Sequence, residues 1–212
     1  MMAQASSNPF WDDKFAGDAH FYGTQPNDFV RAQAGIFAKG GQVLSIGEGE
    51  GRNAVFLAEQ GYAVTALDAS KVGLAKVARL AAARGVRVET VFADLTHYTF
   101  DENRWDGIVS IFCHLPPPLR AQVHGQIARA LKPGGVFVLE GYTPQQLQFK
   151  TGGPGDVAML YTRAQLQAEL RGLQWVHAAE LERTLHEGQG HNGTSAVVQI
   201  VARKPVAGLK AG

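Results

Sequence analysis

The chain has 212 residues, 45% of them hydrophobic, which is enough for one well-filled core and too little for two ordinary domains. Twenty Lys and Arg stand against nineteen Asp and Glu, a net charge of +1 that argues against nucleic acid as a partner and leaves small-molecule chemistry as the default. A single cysteine, Cys113, excludes an internal disulfide and a thiolate zinc site, and no apolar run approaches membrane-spanning length. Residues 1–8 are polar and lack the basic segment and apolar run of a secretion signal, so a cytoplasmic protein with no membrane partner is expected, as a monomer or a homodimer.

In chain order, residues 1–8 read as a flexible N-terminus, 9–203 as a single domain and 204–212 as a flexible tail. Helical segments over 9–15 and 26–38 flank Phe21-Tyr22-Gly23-Thr24-Gln25-Pro26. Short β-branched runs then alternate with amphipathic stretches: strands over 42–46, 63–67, 87–92, 107–112 and 136–140, helices over 52–60, 70–83 and 119–131. That alternation calls for βαβ units and a parallel sheet. Gly61, Gly85 and the Lys132-Pro133-Gly134-Gly135 turn act as stops. After residue 140 the rhythm changes to a Gly-rich loop over 150–155, either a lid or an ordinary connection, and a capping box at Thr162 and Gln165 that opens a helix. Two further strands, near 173–183 and 195–202, flank a turn-rich stretch over 188–193 and predict an antiparallel hairpin at the sheet edge.

The first strand runs into Gly47-Glu48-Gly49-Glu50-Gly51-Arg52-Asn53-Ala54, where a helix starts. Alternate glycines let the backbone approach a ligand closely, and the helix N-terminus offers free N–H groups. Asp68 ends the second strand about twenty residues later, where a carboxylate accepts hydrogen bonds from ribose hydroxyls. The stretch from Gly49 to Ala54 also satisfies the dinucleotide pattern G-x-G-x-x-A, so a nicotinamide cofactor competes with S-adenosyl-L-methionine for the loop. Glu48 and Glu50 would repel a pyrophosphate if they face it, whereas the methyl donor carries two positive groups and one carboxylate. Asp94 after the third strand is placed to read an adenine edge.

The order of Val43-Leu44-Ser45-Ile46-Gly47-Glu48-Gly49-Glu50-Gly51-Arg52-Asn53, Leu67-Asp68-Ala69-Ser70, Ala93-Asp94-Leu95 and Leu131-Lys132-Pro133-Gly134-Gly135 resembles class I methyltransferases. Together with the Tyr22-Gly23-Thr24 motif it is similar to the bacterial TehB-like group, which includes tellurite-resistance and thiopurine-methyltransferase-like enzymes. The resemblance implies a Rossmann-like three-layer α/β sandwich whose seven-stranded, mostly parallel sheet ends in an antiparallel hairpin strand. It implies that Gly47, Glu48, Gly49 and Gly51 line the methionine and ribose of S-adenosyl-L-methionine, that Asp68 holds the ribose, that Ala69, Asp94 and Leu95 meet the adenine, and that Ser110 and Ile111 end the strand where the methyl emerges. Ser45 stands where the family usually has an acid, with Glu48 as a possible substitute.

Methyl transfer is an in-line displacement, so positioning is the main task, and a base is required only for an acceptor that arrives protonated. His114 is the candidate base, against a reading in which it caps the following helix or fixes the proline loop; Tyr22, Arg52, His114 and Tyr142 are candidates for the acceptor pocket. Cys113 reads as a small buried hydrophobe, His186 and His191 as solvent-facing hairpin residues, and no metal is expected. The function expected is methylation of a small molecule, with a thiol, chalcogen oxyanion or xenobiotic favoured by analogy. The alternatives are an NAD(P)-dependent oxidoreductase and a non-catalytic S-adenosylmethionine-binding protein.

Overall fold

The computed structural model describes residues 7–206. Seven strands, β1 (Gln42–Ile46), β2 (Ala63–Asp68), β3 (Val88–Phe92), β4 (Trp105–Ile111), β5 (Leu131–Tyr142), β6 (Gln174–Glu187) and β7 (His191–Arg203), form one sheet in the order β3-β2-β1-β4-β5-β7-β6. Pairing is parallel from β3 across to β5, and β7 is antiparallel to both β5 and β6. The seven-stranded mixed sheet expected from the sequence is thus present. The order reverses between β1 and β4, and in open sheets of this kind a crevice opens outside the carboxyl ends of the strands at such a point.

Successive residues of the central strands point to opposite faces, and both faces are covered. Leu44, Ile46, Ile108, Phe137 and Leu139 pack with α5 (Pro117–Ala130) and α6 (Arg163–Glu169). Val43, Val64, Val109, Val136 and Val138 pack with α2 (Asp28–Gln33), α3 (Arg52–Glu59) and α4 (Lys71–Ala83). Two-sided burial explains why these strands read as continuous apolar runs rather than alternating ones. The helices start where their capping chemistry permits: Ser70 accepts from Gly73 N–H at 2.9 Å to open α4, and Thr162 and Gln165 form the predicted capping box of α6.

Two expectations need correction. The hairpin strands expected near 173–183 and 195–202 are longer, since β6 runs on to Glu187 and β7 begins at His191, which leaves only a tight turn between them. The tip is clamped by the N-terminal segment: Gln189 N–H donates to Phe21 O at 2.8 Å, and a Cβ on Gly190 would lie 2.2 Å from the Tyr22 ring. The Lys132 to Gly135 turn is a bulge inside β5, whose pairing with β4 jumps from Trp105 opposite Leu131 to Gly107 opposite Val136. The glycine-rich loop packs as a wall rather than a lid; Thr151 Oγ1 donates to Thr194 O at 2.7 Å, and Gly153 abuts Tyr142.

Helix α1 (Pro9–Lys14) lies against α4, and Asn8 N–H donates to Ala69 O at 3.0 Å. At the other end Lys204 N–H donates to Gly135 O at 2.9 Å. Of the segments expected to be flexible, 1–6 and 207–212 lie outside the described residues.

Candidate functional site

A cleft of about 340 Å³ opens at the carboxyl ends of β1, β2 and β4. Its floor is the turn after β1, where Gly47, Gly49 and Gly51 all adopt positive φ (59°, 67° and 101°). A Cβ on Gly51 would meet Val77 Cα at 2.9 Å, so this glycine lets α3 and α4 approach and does not itself line the cleft.

The two glutamates of the loop go opposite ways. Glu48 turns inward onto its own helix: Oε1 accepts from Asn53 and Ala54 N–H at 3.0 Å each, and Oε2 accepts from the Ser45 hydroxyl. The carboxylate missing at position 45 is therefore replaced by one that Ser45 holds from three residues on. Burial pushes the Glu48 carboxyl above its ordinary range, against the pull of these donors and of Arg52. Glu50 leaves the cleft, pairs with the buried Lys76 at 2.7 Å, and accepts from Phe21 N–H at 2.7 Å. It thereby pins the segment that carries Tyr22 over the cleft.

Asp68, at the end of β2, accepts from Gly49 N–H and Ser70 N–H, both at 2.8 Å, one on each oxygen. Each oxygen keeps a second lone pair, and the residue lines the cleft beside Ala69. Asp94 is fixed by Thr96 N–H at 2.8 Å, which lowers its pKa, and lines the far end with Leu95. Ile111 lines the cleft; Ser110, one residue earlier on the strand, is buried in the sheet and does not. The chain turns sharply at Phe112, a non-glycine residue at φ 52°, and the ring lodges between Tyr142 and His191 with centroids 4.6 and 4.4 Å away.

The base expected at His114 is not available. Tyr142 N–H donates to its Nε2 at 3.1 Å, so Nδ1 carries the proton and donates to Met159 O at 2.9 Å. Both nitrogens serve the backbone, and burial carries the imidazole pKa down to about 4. His114 joins the β5 end to the 157–159 turn and borders the cleft, its ring stacked on those of Tyr161 and Tyr142. Tyr142 is fully buried behind Phe112 and outside the cleft lining. Cys113 borders the cleft, but burial lifts its thiol to about 12, in keeping with a bystander.

His191 was expected to face solvent and instead is buried, lining the cleft with its ring 4.5 Å from that of Tyr22. Its Nδ1 bonds Glu187 at 3.2 Å, and no group of the described residues bonds Nε2. Glu187 also pairs with Arg52 Nη2 at 2.8 Å and accepts from Asn27 Nδ2 at 2.8 Å. Asn27 continues the chain to Glu140, which is held by Arg183 at 2.8 and 2.9 Å and by Gln199 at 2.6 Å. Burial would raise the Glu187 pKa, but His191 and Arg52 outweigh it and bring the carboxyl to about 2. Burial and Arg52 together lower the His191 pKa, so the imidazole is neutral near pH 7, with Nδ1–H donating to the carboxylate. The pairing was foreshadowed in the sequence: Glu187 and His191 bracket Gly-Gln-Gly, and a hairpin so short places them opposite each other. Trp11 and Phe15, stacked 5.5 Å apart on the cleft wall, left no such sign.

Among the described residues no group of three His, Cys, Asp or Glu is placed to hold a metal, and no helix is long and apolar enough to cross a membrane. A family model described as a methyltransferase domain matches residues 43–135. A curated 2-heptyl-1-hydroxyquinolin-4(1H)-one methyltransferase of Mycobacteroides abscessus is 32% identical over 56% of this chain and 53% of its own length. A probable S-adenosylmethionine-dependent methyltransferase of Mycolicibacterium smegmatis is 31% identical over 69% of this chain and 54% of its own. The chain thus spans about half the length of these relatives. Among solved structures, TehB from Haemophilus influenzae aligns with a TM-score of 0.69 at 20% identity, over 92% of this chain and 66% of that one.

Proposed function

We propose, from the methyltransferase-domain model that matches residues 43–135 and the methyltransferase relatives, that the chain is a class I S-adenosylmethionine-dependent methyltransferase and that it methylates a small molecule whose accepting atom arrives protonated, as a hydroxyl or thiol. The observation that carries the donor reading is the division of labour in the glycine loop. Glu48 consumes two of the N–H groups that open α3, those of Asn53 and Ala54, which a pyrophosphate would need, while Asp68 lines the cleft. A nicotinamide dinucleotide is disfavoured on that ground. Gly47, Gly49, Asp68, Ala69, Asp94 and Leu95 all line the cleft, which supports assigning the first three to the methionine and ribose of S-adenosyl-L-methionine and the last three to its adenine. Bound there, it supplies an activated methyl on a sulfonium.

The chain's own contribution is orientation and proton removal. Phe112, Tyr22 and Ile111 exclude water from the line of attack. Glu187 fixes the His191 tautomer so that Nε2 presents a lone pair to the cleft, where it takes the acceptor's proton as the new bond to carbon forms. The hydroxylated quinolone named for the Mycobacteroides relative is an acceptor of this kind, and a thiol or other xenobiotic fits the same scheme. A chalcogen oxyanion, already ionised, would bypass the dyad.

Calorimetric titration with S-adenosylmethionine, S-adenosylhomocysteine and NADH tests the donor reading. Micromolar binding of the first two and none of the third is expected; NADH binding alone would overturn it.

A further inference from the structure

The segment that carries Tyr22 over the cleft ends at Asn27, a fully buried amide whose hydrogen-bonding groups are all in use. Oδ1 accepts from Val30 N–H at 3.1 Å and opens α2, and the main-chain N–H donates to Asn53 Oδ1 at 2.9 Å. The side-chain N–H groups go to two different buried carboxylates, with Nδ2 lying 2.5 Å from Glu140 Oε2 and 2.8 Å from Glu187 Oε1. A helix start needs only an acceptor, which Ser, Thr or Asp supplies as well, and Asp would set a third charge against the two glutamates. The donors therefore decide the residue type: at this side-chain length only Asn joins an acceptor for the helix to two N–H groups for the carboxylates.

This clasp sorts the oxygens of Glu187. Asn27 holds Oε1, which leaves Oε2 for His191 Nδ1 at 3.2 Å and Arg52 Nη2 at 2.8 Å. The other cation near Oε1, Arg183 Nη2, is 3.6 Å away and already bonded to Glu140. Without the amide, the Glu140 and Glu187 carboxylates face each other across the space of one nitrogen, and their repulsion turns Glu187 away from its place opposite His191. An imidazole that loses its carboxylate at Nδ1 carries its proton mainly on Nε2, the nitrogen that has no partner among the described residues.

We infer that Asn27 is a positioning residue for proton removal, fixing Glu187 so that the His191 proton stays on Nδ1 and the lone pair of Nε2 is kept for the acceptor. The inference rests on the reading of His191 as the base and adds the group that sets its tautomer. It also gives the segment before α2 two tasks, since Tyr22 walls the cleft and Asn27, five residues on, orients the group that works there.

The test uses the full chain and two variants, Asn27→Ser and Asn27→Gly, both of which keep a competent start for α2 and lack the amide donors. Nitrogen NMR on protein with labelled histidine rings reads the tautomer at neutral pH, because an unprotonated ring nitrogen resonates far downfield of a protonated one; His191 is assigned by its absence from His191→Gln. Wild type should show the proton on Nδ1 alone. In both variants the Nδ1–H form should fall to a minority, with the Nε2 signal moving most of the way to the protonated position, while S-adenosylhomocysteine affinity by calorimetry stays that of wild type. A merely structural role would not exchange one tautomer for the other. Variants that melt cooperatively and keep the wild-type tautomer overturn the inference and leave His191 as the base. Failure of both variants to fold also overturns it, because the amide is then a strut. A wild-type ring protonated on Nε2 is a different result, since it removes His191 as the base and the inference with it.

Discussion

Replacing Glu187 with Gln keeps the volume of the side chain and removes its charge, leaving Arg52 and the Arg183 edge facing a neutral amide. The carboxyl sits near pKa 2 in the folded chain against an ordinary 4.5, so it is depressed on folding and its stabilisation is present above pH 4.5 and lost as pH falls through 2. At about 1.4 kcal/mol per tenfold change in proton affinity, this contributes roughly 3 kcal/mol at pH 7. Urea denaturation at several pH values reads it directly. Wild type should exceed E187Q by about 3 kcal/mol at pH 7, by about half that near pH 3, and by almost nothing at pH 2, where the protonated acid resembles the amide. A gap that stays constant from pH 7 to pH 3, or that is absent at pH 7, would refute the claim that Glu187 is an ionised partner of Arg52.

Three other outcomes follow from the same geometry. His191→Gln should lower turnover by about 10²- to 10⁴-fold on a hydroxyl or thiol acceptor while leaving S-adenosylhomocysteine affinity intact by calorimetry; wild-type activity should fall on the acid side through a pKa below 6.5, the direction in which burial and Arg52 move this imidazole. His114→Leu should instead cost stability, about 1–3 kcal/mol from the stranded Tyr142 N–H, and a variant that is fully stable but inactive would restore His114 as the base. Asp68→Asn should weaken S-adenosylhomocysteine binding by about tenfold to a hundredfold and also cost about 1–3 kcal/mol of stability in urea denaturation, because the amide offers one acceptor where Gly49 N–H and Ser70 N–H each use one.

What could be read from the sequence was what the chain decides locally. The run from β1 through the glycine turn into α3, the aspartate closing β2 and the capping box of α6 are fixed by residues within a few positions of one another, and each stands where expected. The two glutamates of the loop were recognised as informative, but their directions depend on Lys76 and on the helix they precede, and no spacing rule supplies those. The histidines show the limit most sharply. His114 sits at a strand end, where a catalytic group is expected, and is consumed by two backbone partners 28 and 45 positions away. His191 sits in what reads as a polar turn, and it is buried because Phe21 and Tyr22, some 170 positions earlier, close over the hairpin tip. Asn27, Glu140 and Glu187 form one network across three remote segments, so nothing in the neighbourhood of any of them announces the other two.

The clasp between Asn8 and Ala69 has a practical side. It brings the start of the described chain to the rim of the cleft, where Trp11 and Phe15 form part of the wall. Residues 203–204 pair instead with 134–136, at the opposite end of the parallel strands. An affinity tag or reporter placed just ahead of residue 7 would therefore hang beside the ligand entrance and compete with titrations of weak acceptors, whereas the same appendage after residue 206 would leave the entrance clear.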